Sequence, residues 1–265
     1  MSAPIRVFSL YSGSEGNAFL IHAPSGNLLI DAGKSARRLC TALSACGVAP
    51  ADLDAILVTH EHTDHVSALP VFLKKNPIPV HLANGCVYRL ENDPNTAPCL
   101  APHPPLWEGT LGGMRVRSFP TSHDSRASVG YRIDIPYGER ILSLGYATDL
   151  GTVTSDVEAM LLGCRAVILE SNHDVDMLLW GPYPPDLKRR IHGKRGHLSN
   201  TDSAALAARL TSQGTRALLL AHLSRENNLP DLALGECTAA VADASVRIAV
   251  AAPDDVTELP LEDLL

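Results

Sequence analysis

No apolar run in this 265-residue chain approaches the ~18 residues that a membrane-spanning helix needs, so a helical anchor is not expected. The first residues, Met1-Ser2-Ala3-Pro4-Ile5-Arg6, lack the charged start, long apolar core and small-residue cleavage site of a secretory leader. The six cysteines (Cys40, Cys46, Cys86, Cys99, Cys164, Cys237) show no C-x-x-C spacing. That argues against a thiolate zinc site or a disulfide framework, and for the reduced, mostly buried thiols of a cytoplasmic protein. Positive charge is in deficit, 22 Lys+Arg against 29 Asp+Glu for a net −7, which excludes a surface coated in basic groups but not a local anion site. No short-period repeat, low-complexity tract or separating linker interrupts the chain, so one domain over residues 1–265 is the expectation. Hydrophobic residues at 45% and charged residues at 19% fit a globular, soluble protein.

What is present is an alternation of strands and helices. Val7–Ser9 reads as a strand. Phe19–Ile21 and Leu28–Ile30 flank Pro24-Ser25-Gly26-Asn27 as a hairpin. Ser35 caps a helix through Leu39 and Leu43 that Gly47 ends. Ala55–Val58 reads as a strand, Val66–Lys74 as a helix and Ile78–Leu82 as a strand. Residues 92–105 carry five prolines and read as a surface loop. Met114–Phe119, Val129–Ile135, Ile141–Ala147, Ala166–Leu169, Ala217–Leu220 and Val246–Val250 read as strands, and Thr201–Leu210 as an Ala-rich helix. Two mixed sheets between helices, an α/β architecture, is the simplest solution.

The run Thr59-His60-Glu61-His62-Thr63-Asp64-His65 follows the apolar Ala55–Val58 and delivers three imidazoles and a carboxylate to the rim of a sheet. Such donors suit zinc, manganese or iron. Residues two apart in an extended segment project to one side, so His60 and His62 can hold one ion. Asp64 and His65, where the chain turns into the next helix, can hold a second. Each ion then needs further donors, and His123, Asp149 and His222 each follow an apolar strand. Any one of these alone reads as a cap or a hydrogen-bonding residue. Together with the histidine run they read as ligands.

His60-x-His62-x-Asp64-His65 with His123, Asp149 and His222 resembles the metallo-β-lactamase superfamily, and Asp31-Ala32-Gly33 matches its first structural motif. The resemblance spans nearly the whole chain. It implies a four-layer αββα sandwich with the site on one edge. It also implies two divalent metal ions, Zn²⁺ foremost with Mn²⁺ or Fe²⁺ also suited. His60, His62 and His123 would hold one; Asp64, His65 and His222 the other; Asp149 would bridge them, with a hydroxide shared between the ions. Lactamases of the superfamily typically carry a Cys or another residue where this chain has Asp149. That departure favours the phosphodiesterase, lactonase and thioesterase branches.

Three further segments, Ser12–Asn17, Glu170-Ser171-Asn172-His173-Asp174 and Gly196-His197-Leu198-Ser199-Asn200, with the end Ala221–Asn228, resemble the YycJ/WalJ branch. Its members are described as 5′-to-3′ DNA exonucleases or as uncharacterised hydrolases. The His197 loop is also similar to the histidine-containing loop of tRNase Z, whose imidazole meets the scissile phosphate. Lys188–His197 holds five Lys/Arg in ten residues of an acidic chain, which suits a phosphate backbone or, alternatively, complements a helix end. Candidate substrate contacts are Ser14 and Asn17 in the Gly/Ser loop, Lys194 and Arg195 in the basic stretch, and His173. His197 or Asp64 would manage the leaving-group proton. DNA is the expected partner, without a membrane, and a homodimer is left open. A small-molecule hydrolase on the same metals and a metal-dependent binding protein without turnover are the rival readings. Trp107, Trp180 and Tyr183 fit core or partner contacts better than base stacking.

Overall fold

The computed structural model describes residues 4–261, so Met1 to Ala3 of the stretch compared with a secretory leader lie outside the described residues. In chain order the strands and α-helices are β1 Arg6–Tyr11, β2 Ala18–Ala23, β3 Gly26–Ile30, α1 Ala36–Ala45, β4 Ala55–Val58, α2 Thr63–Val66, α3 Leu69–Leu73, β5 Val80–Ala83, β6 Leu100–His103 and β7 Trp107–Leu111. They continue as β8 Met114–Pro120, β9 Val129–Tyr137, β10 Arg140–Ala147, α4 Ser155–Leu161, β11 Ala166–Glu170, α5 Val175–Trp180 and α6 Pro185–Ile191. The last are α7 Asn200–Ser212, β12 Ala217–Ala221, α8 Pro230–Ala240, β13 Arg247–Val250 and β14 Thr257–Glu258.

The strands form two seven-stranded mixed sheets, ordered β14-β1-β2-β3-β4-β5-β6 and β13-β12-β11-β10-β9-β8-β7. In each sheet a parallel half joins an antiparallel half. β3 to β6 run parallel, as do β10 to β13, whereas β14-β1-β2-β3 and β7-β8-β9-β10 are antiparallel. Helices flank the two sheets, giving the αββα sandwich of the metallo-β-lactamase fold.

The apolar runs explain the layering. Along β11, Ala166 and Ile168 enter the core shared by both sheets, while Val167 and Leu169 join the helix-side core with Leu161, Leu206 and Leu210. Along β12, Ala217, Leu219 and Ala221 alternate with Leu218 and Leu220 in the same way. A parallel strand buried on both faces needs apolar residues at every position, because the side chains alternate between two dry layers.

Two expectations are corrected. The proline-rich 92–105 is not all loop, since Leu100–His103 pairs in parallel with β5 as the last strand of its sheet. An edge strand tolerates Pro102 and its missing N–H. The helix expected over Val66–Lys74 is two short helices broken at Ser67 and Ala68. Pro70 lacks the N–H that would bond the carbonyl of Val66, and its ring crowds that carbonyl. Helices α4, α5, α6 and α8 and strands β7 and β14 are additions to the sequence reading. Among the described residues no helix is long and apolar enough to cross a membrane, and all six cysteines are free.

Candidate metal centre

The site lies where strands of both sheets end. His60 follows β4, His123 follows β8, Asp149 follows β10, Glu170 closes β11 and His222 follows β12. Ligands in α/β sheets gather at such carboxyl ends because the chain leaves the sheet there and its side chains are no longer packed between strands. Asp31, Asp149 and His222 adopt φ of 61°, 57° and 59°. A left-handed backbone costs a non-glycine residue about 1–3 kcal/mol, a strain that the surrounding fold holds at these three positions.

Two donor trios form. The ligand atoms of His60, His62 and His123 lie within 4.8 Å of one another, as do those of Asp64, His65 and His222. Asp149 stands between them. Its Oδ1 is 3.6 Å from His123 Nε2, and its Oδ2 is 3.6 Å from His65 Nε2. The buried atoms His60 Nε2, Asp149 Oδ2 and His222 Nε2 have no hydrogen-bond partner in the protein. Such convergence is costly unless a cation satisfies the atoms, so the donor set fits divalent metal.

The far sides of the rings are fixed by hydrogen bonds. His65 Nδ1 lies 2.8 Å from Asp31 Oδ2, which directs Nε2 to the site. Asp31 also accepts from the Thr59 backbone N–H at 2.8 Å. His123 Nδ1 is 3.0 Å from the Gly196 carbonyl. His222 Nδ1 and His197 Nδ1 each lie 2.8 Å from Glu170 Oε1. Glu170 Oε2 accepts the N–H groups of Leu150 and Leu198 at 2.7 and 3.0 Å. Although Glu170 falls in a donor group with Asp149, His197 and His222, its oxygens are occupied by these four bonds. It therefore acts as a support behind the rings, which holds their tautomer and orientation.

Electrostatics follow the same plan. Burial pushes His60 well below its ordinary value, helped by neighbouring His65, which keeps a lone pair for metal. Burial also opposes charge on His65 and His222, but Asp64, Asp31 and Asp149 outweigh it at His65 and raise that ring well above its usual range. The carboxylates of Asp149, Asp64 and Glu170 around it raise His222 to about 10. Burial would raise Asp64 and Glu170. His65 and His222 hold Asp64 far below the carboxylate range instead, and His197 and His222 bring Glu170 to about 2.

The remaining candidates separate. Ser14 and His197 line a cavity of about 250 Å³ over the donors, together with Tyr183, Leu187 and Ile191. Asn17 is fully buried beneath the metal loop. Its Nδ2 donates to the Gly13 carbonyl at 3.1 Å and stands 3.5 Å from Asp64 Oδ2. His173 is fully buried and outside every donor group, and burial lowers it to about 4. Lys194 contributes its carbonyl, which accepts from Ser122 Oγ at 2.5 Å. Arg195 donates to the carbonyls of His123 and Ser125 at 3.0 and 3.1 Å, bracing the His123 loop. Sequence reasoning gave no role to Glu170 or Asp124. Glu170 carries the signal that marked Asp149, a carboxylate at the end of an apolar strand. Asp124 Oδ1, 3.3 Å from His123 Nε2, carries no such signal.

A Beta-lactamase superfamily domain matches residues 26–223, the segment holding every one of these donors. The chain belongs to that superfamily. It is similar to exodeoxyribonuclease WalJ of Streptococcus pneumoniae serotype 2 strain D39, 32% identical over 260 residues covering 94% of this chain and 95% of that protein. It is 34% identical to exodeoxyribonuclease YycJ of Bacillus anthracis over 228 residues, 84% of each chain. The metallo-β-lactamase fold protein YhfI of Bacillus subtilis superposes with a TM-score of 0.70 at 18% identity, covering 96% of this chain and 98% of that one. Human tRNase Z, short form, superposes at 0.62 and 16% identity, over 96% and 99% of the two chains. As a member of the superfamily the protein is a metal-dependent hydrolase, and its histidine and aspartate clusters are compatible with divalent metal.

Proposed function

We propose that the protein hydrolyses phosphodiester bonds of nucleic acid, as a 5′-to-3′ DNA exonuclease with two divalent metal ions. The observation that carries this reading is Asp149, with one oxygen toward the His60/His62/His123 trio and the other toward the Asp64/His65/His222 trio. With a carboxylate between them, the two trios would hold a pair of divalent ions. Zn²⁺ is the first choice for an imidazole-rich set, and Mn²⁺ or Fe²⁺ also fit. The DNA substrate is suggested by the two relatives named exodeoxyribonucleases.

When bound, the ions activate water and polarise a phosphoryl oxygen. The chain's own residues do the rest. Glu170 fixes the His197 ring through Nδ1, so Nε2 is free toward the cavity that His197 lines. From there it contacts a phosphate oxygen and gives a proton to the leaving oxygen. Asp64 is held ionised by His65 and His222 and has no proton to give. Tyr183, Leu187 and Ile191 form one wall of the cavity, against which the terminal nucleoside rests and excludes water. Six free cysteines fit work in the cytoplasm.

The test is digestion of end-labelled single- and double-stranded DNA and RNA with added Zn²⁺ or Mn²⁺, against His62→Ala. Metal-dependent release of nucleotides by the wild type alone is expected. Two bound ions with turnover on lactones or thioesters and none on phosphodiesters would replace this reading with a small-molecule hydrolase.

A further inference from the structure

A second hollow, of about 750 Å³, opens beside the metal centre, and His62, Asp64 and Asp124 line both it and the catalytic cavity. Its walls carry four guanidinium groups, Arg89, Arg126, Arg190 and Arg195. Arg190 is committed to Asp124, with Nε 2.6 Å from Oδ2. Arg195 spends Nε and Nη2 on two backbone carbonyls. Arg89 and Arg126 are exposed and have no carboxylate partner among the described residues. The guanidinium of Arg126 lies 3.8 Å from the centroid of the Tyr88 ring. Tyr88 is 39% exposed, yet its hydroxyl is tied to Glu61 Oε1 at 3.1 Å. Glu61 is itself buried and accepts from Ser125 Oγ at 2.7 Å.

The chemistry of this wall is specific. Its carboxylates are engaged: Glu61 by Ser125 and Tyr88, Asp124 by Arg190, Asp64 by the metal donors. That leaves unneutralised guanidinium groups for phosphate. A guanidinium stacked on an anchored tyrosine is a flat surface of the kind on which nucleobases stack. Inside a duplex both faces of a base are already covered, so an unpaired base is the occupant that suits such a surface.

We propose that this hollow is the track for the unpaired strand of a nucleic-acid substrate, with a base on the Arg126–Tyr88 pair and Arg89 and Arg195 facing the neighbouring phosphates. The proposal rests on the phosphodiesterase reading and adds the form of the substrate, single-stranded next to the scissile phosphate.

The experiment uses the metal-loaded full chain and a short phosphorothioate single strand that resists cleavage. Affinity is measured across a salt series. Arg89→Ser with Arg126→Ser should weaken binding at least about tenfold at low salt and, since Arg89 is the one of the two that faces a phosphate, make the log–log salt slope shallower by about 0.7. Tyr88→Ala should weaken binding roughly tenfold, and Tyr88→Phe should restore it by keeping the ring. Turnover of bis(p-nitrophenyl) phosphate, which is too short to reach the hollow, should change at least tenfold less than oligonucleotide binding. Wild-type affinity and slope in the double-arginine variant would overturn the proposal. So would a blunt duplex that binds as tightly as the single strand. Failure of the phosphodiesterase reading looks different: the wild type itself would neither cleave bis(p-nitrophenyl) phosphate nor bind the strand, and this proposal would fall with it.

Discussion

Replacing Glu170 by Gln changes one atom and breaks the support behind two imidazoles. In the native protein Oε1 accepts from His197 and His222, and Oε2 accepts from the backbone N–H groups of Leu150 and Leu198. A glutamine amide has one acceptor and one donor. If its oxygen faces the rings, its NH₂ meets two backbone donors that are buried. Each unsatisfied donor costs about 1–3 kcal/mol, so roughly 2–6 kcal/mol of stability is lost. If the amide flips, the rings face a donor. His222 must then carry its proton on Nε2, the atom left for metal. Loss of such a support typically lowers metal affinity 10–100-fold. Competition with a chelator and calorimetric titration read this directly. One ion, on the Asp64/His65/His222 side, should weaken by that factor while the other stays near its native affinity. The chelated variant should also melt about 5–15 °C lower. Native affinity for both ions, with a native melting temperature, would refute the assignment of Glu170 as the support.

Removal of the His197 ring by Ala should leave both ions bound and lower turnover about 10²–10⁴-fold, and a full native rate would rule out its proton role. Gly33→Ala should prevent accumulation of folded protein, because a Cβ there would lie 1.9 Å from the Asp64 carbonyl and 2.6 Å from the Asn17 nitrogen; a variant of native melting temperature would contradict the tight seam under the metal loop. At pH 8 the metal-free protein holds protons on His65 and His222, so Zn²⁺ binding should release about two, read from calorimetry in buffers of different ionisation enthalpy. Release of none would sink that reading. The same raised histidines stabilise the chelated protein fully below their unfolded value near 6.5, and that contribution is lost as pH rises to about 10. The depressed Asp64 and Glu170 act oppositely, stabilising above the ordinary carboxylate range and failing as pH falls toward about 2. Melting temperatures of the chelated protein should therefore fall from pH 6.5 toward pH 10, and a rise over that interval would reverse the argument.

Local pattern carried the sandwich a long way. Ala55–Val58, Ala166–Leu169 and Ala217–Leu220 were readable because strands buried on both faces must be apolar throughout. The seven residues expected to bind metal were readable because they form one histidine-rich run past β4 or follow the ends of strands β8, β10 and β12. Short polar helices such as Pro185–Ile191 were not, since packing rather than propensity holds them. The basic stretch Lys188–Arg195 shows the limit most clearly. Read along the chain it is a patch of free charge. In the fold Arg189 pairs with Asp186, Arg190 with Asp124, Lys188 bonds the carbonyls of Leu179 and Gly181, and Arg195 braces the His123 loop. Arg89 and Arg126, exposed in the second hollow and without a carboxylate partner among the described residues, lie about a hundred residues or fewer away in sequence and carry no local signal.

The amino-acid sequence alone thus determined which side chains gather at the sheet ends, because strand burial and metal chemistry both leave a periodic, local mark. Only the tertiary structure decided how those side chains are aimed and which charges stay available. Asp31 behind His65, Glu170 behind His197 and His222, and Asp124 beside Arg190 are pairings across 27 to 66 residues. A hydrogen bond acts over about 3 Å of space whatever the separation along the chain, so its partners become visible only when the chain has folded.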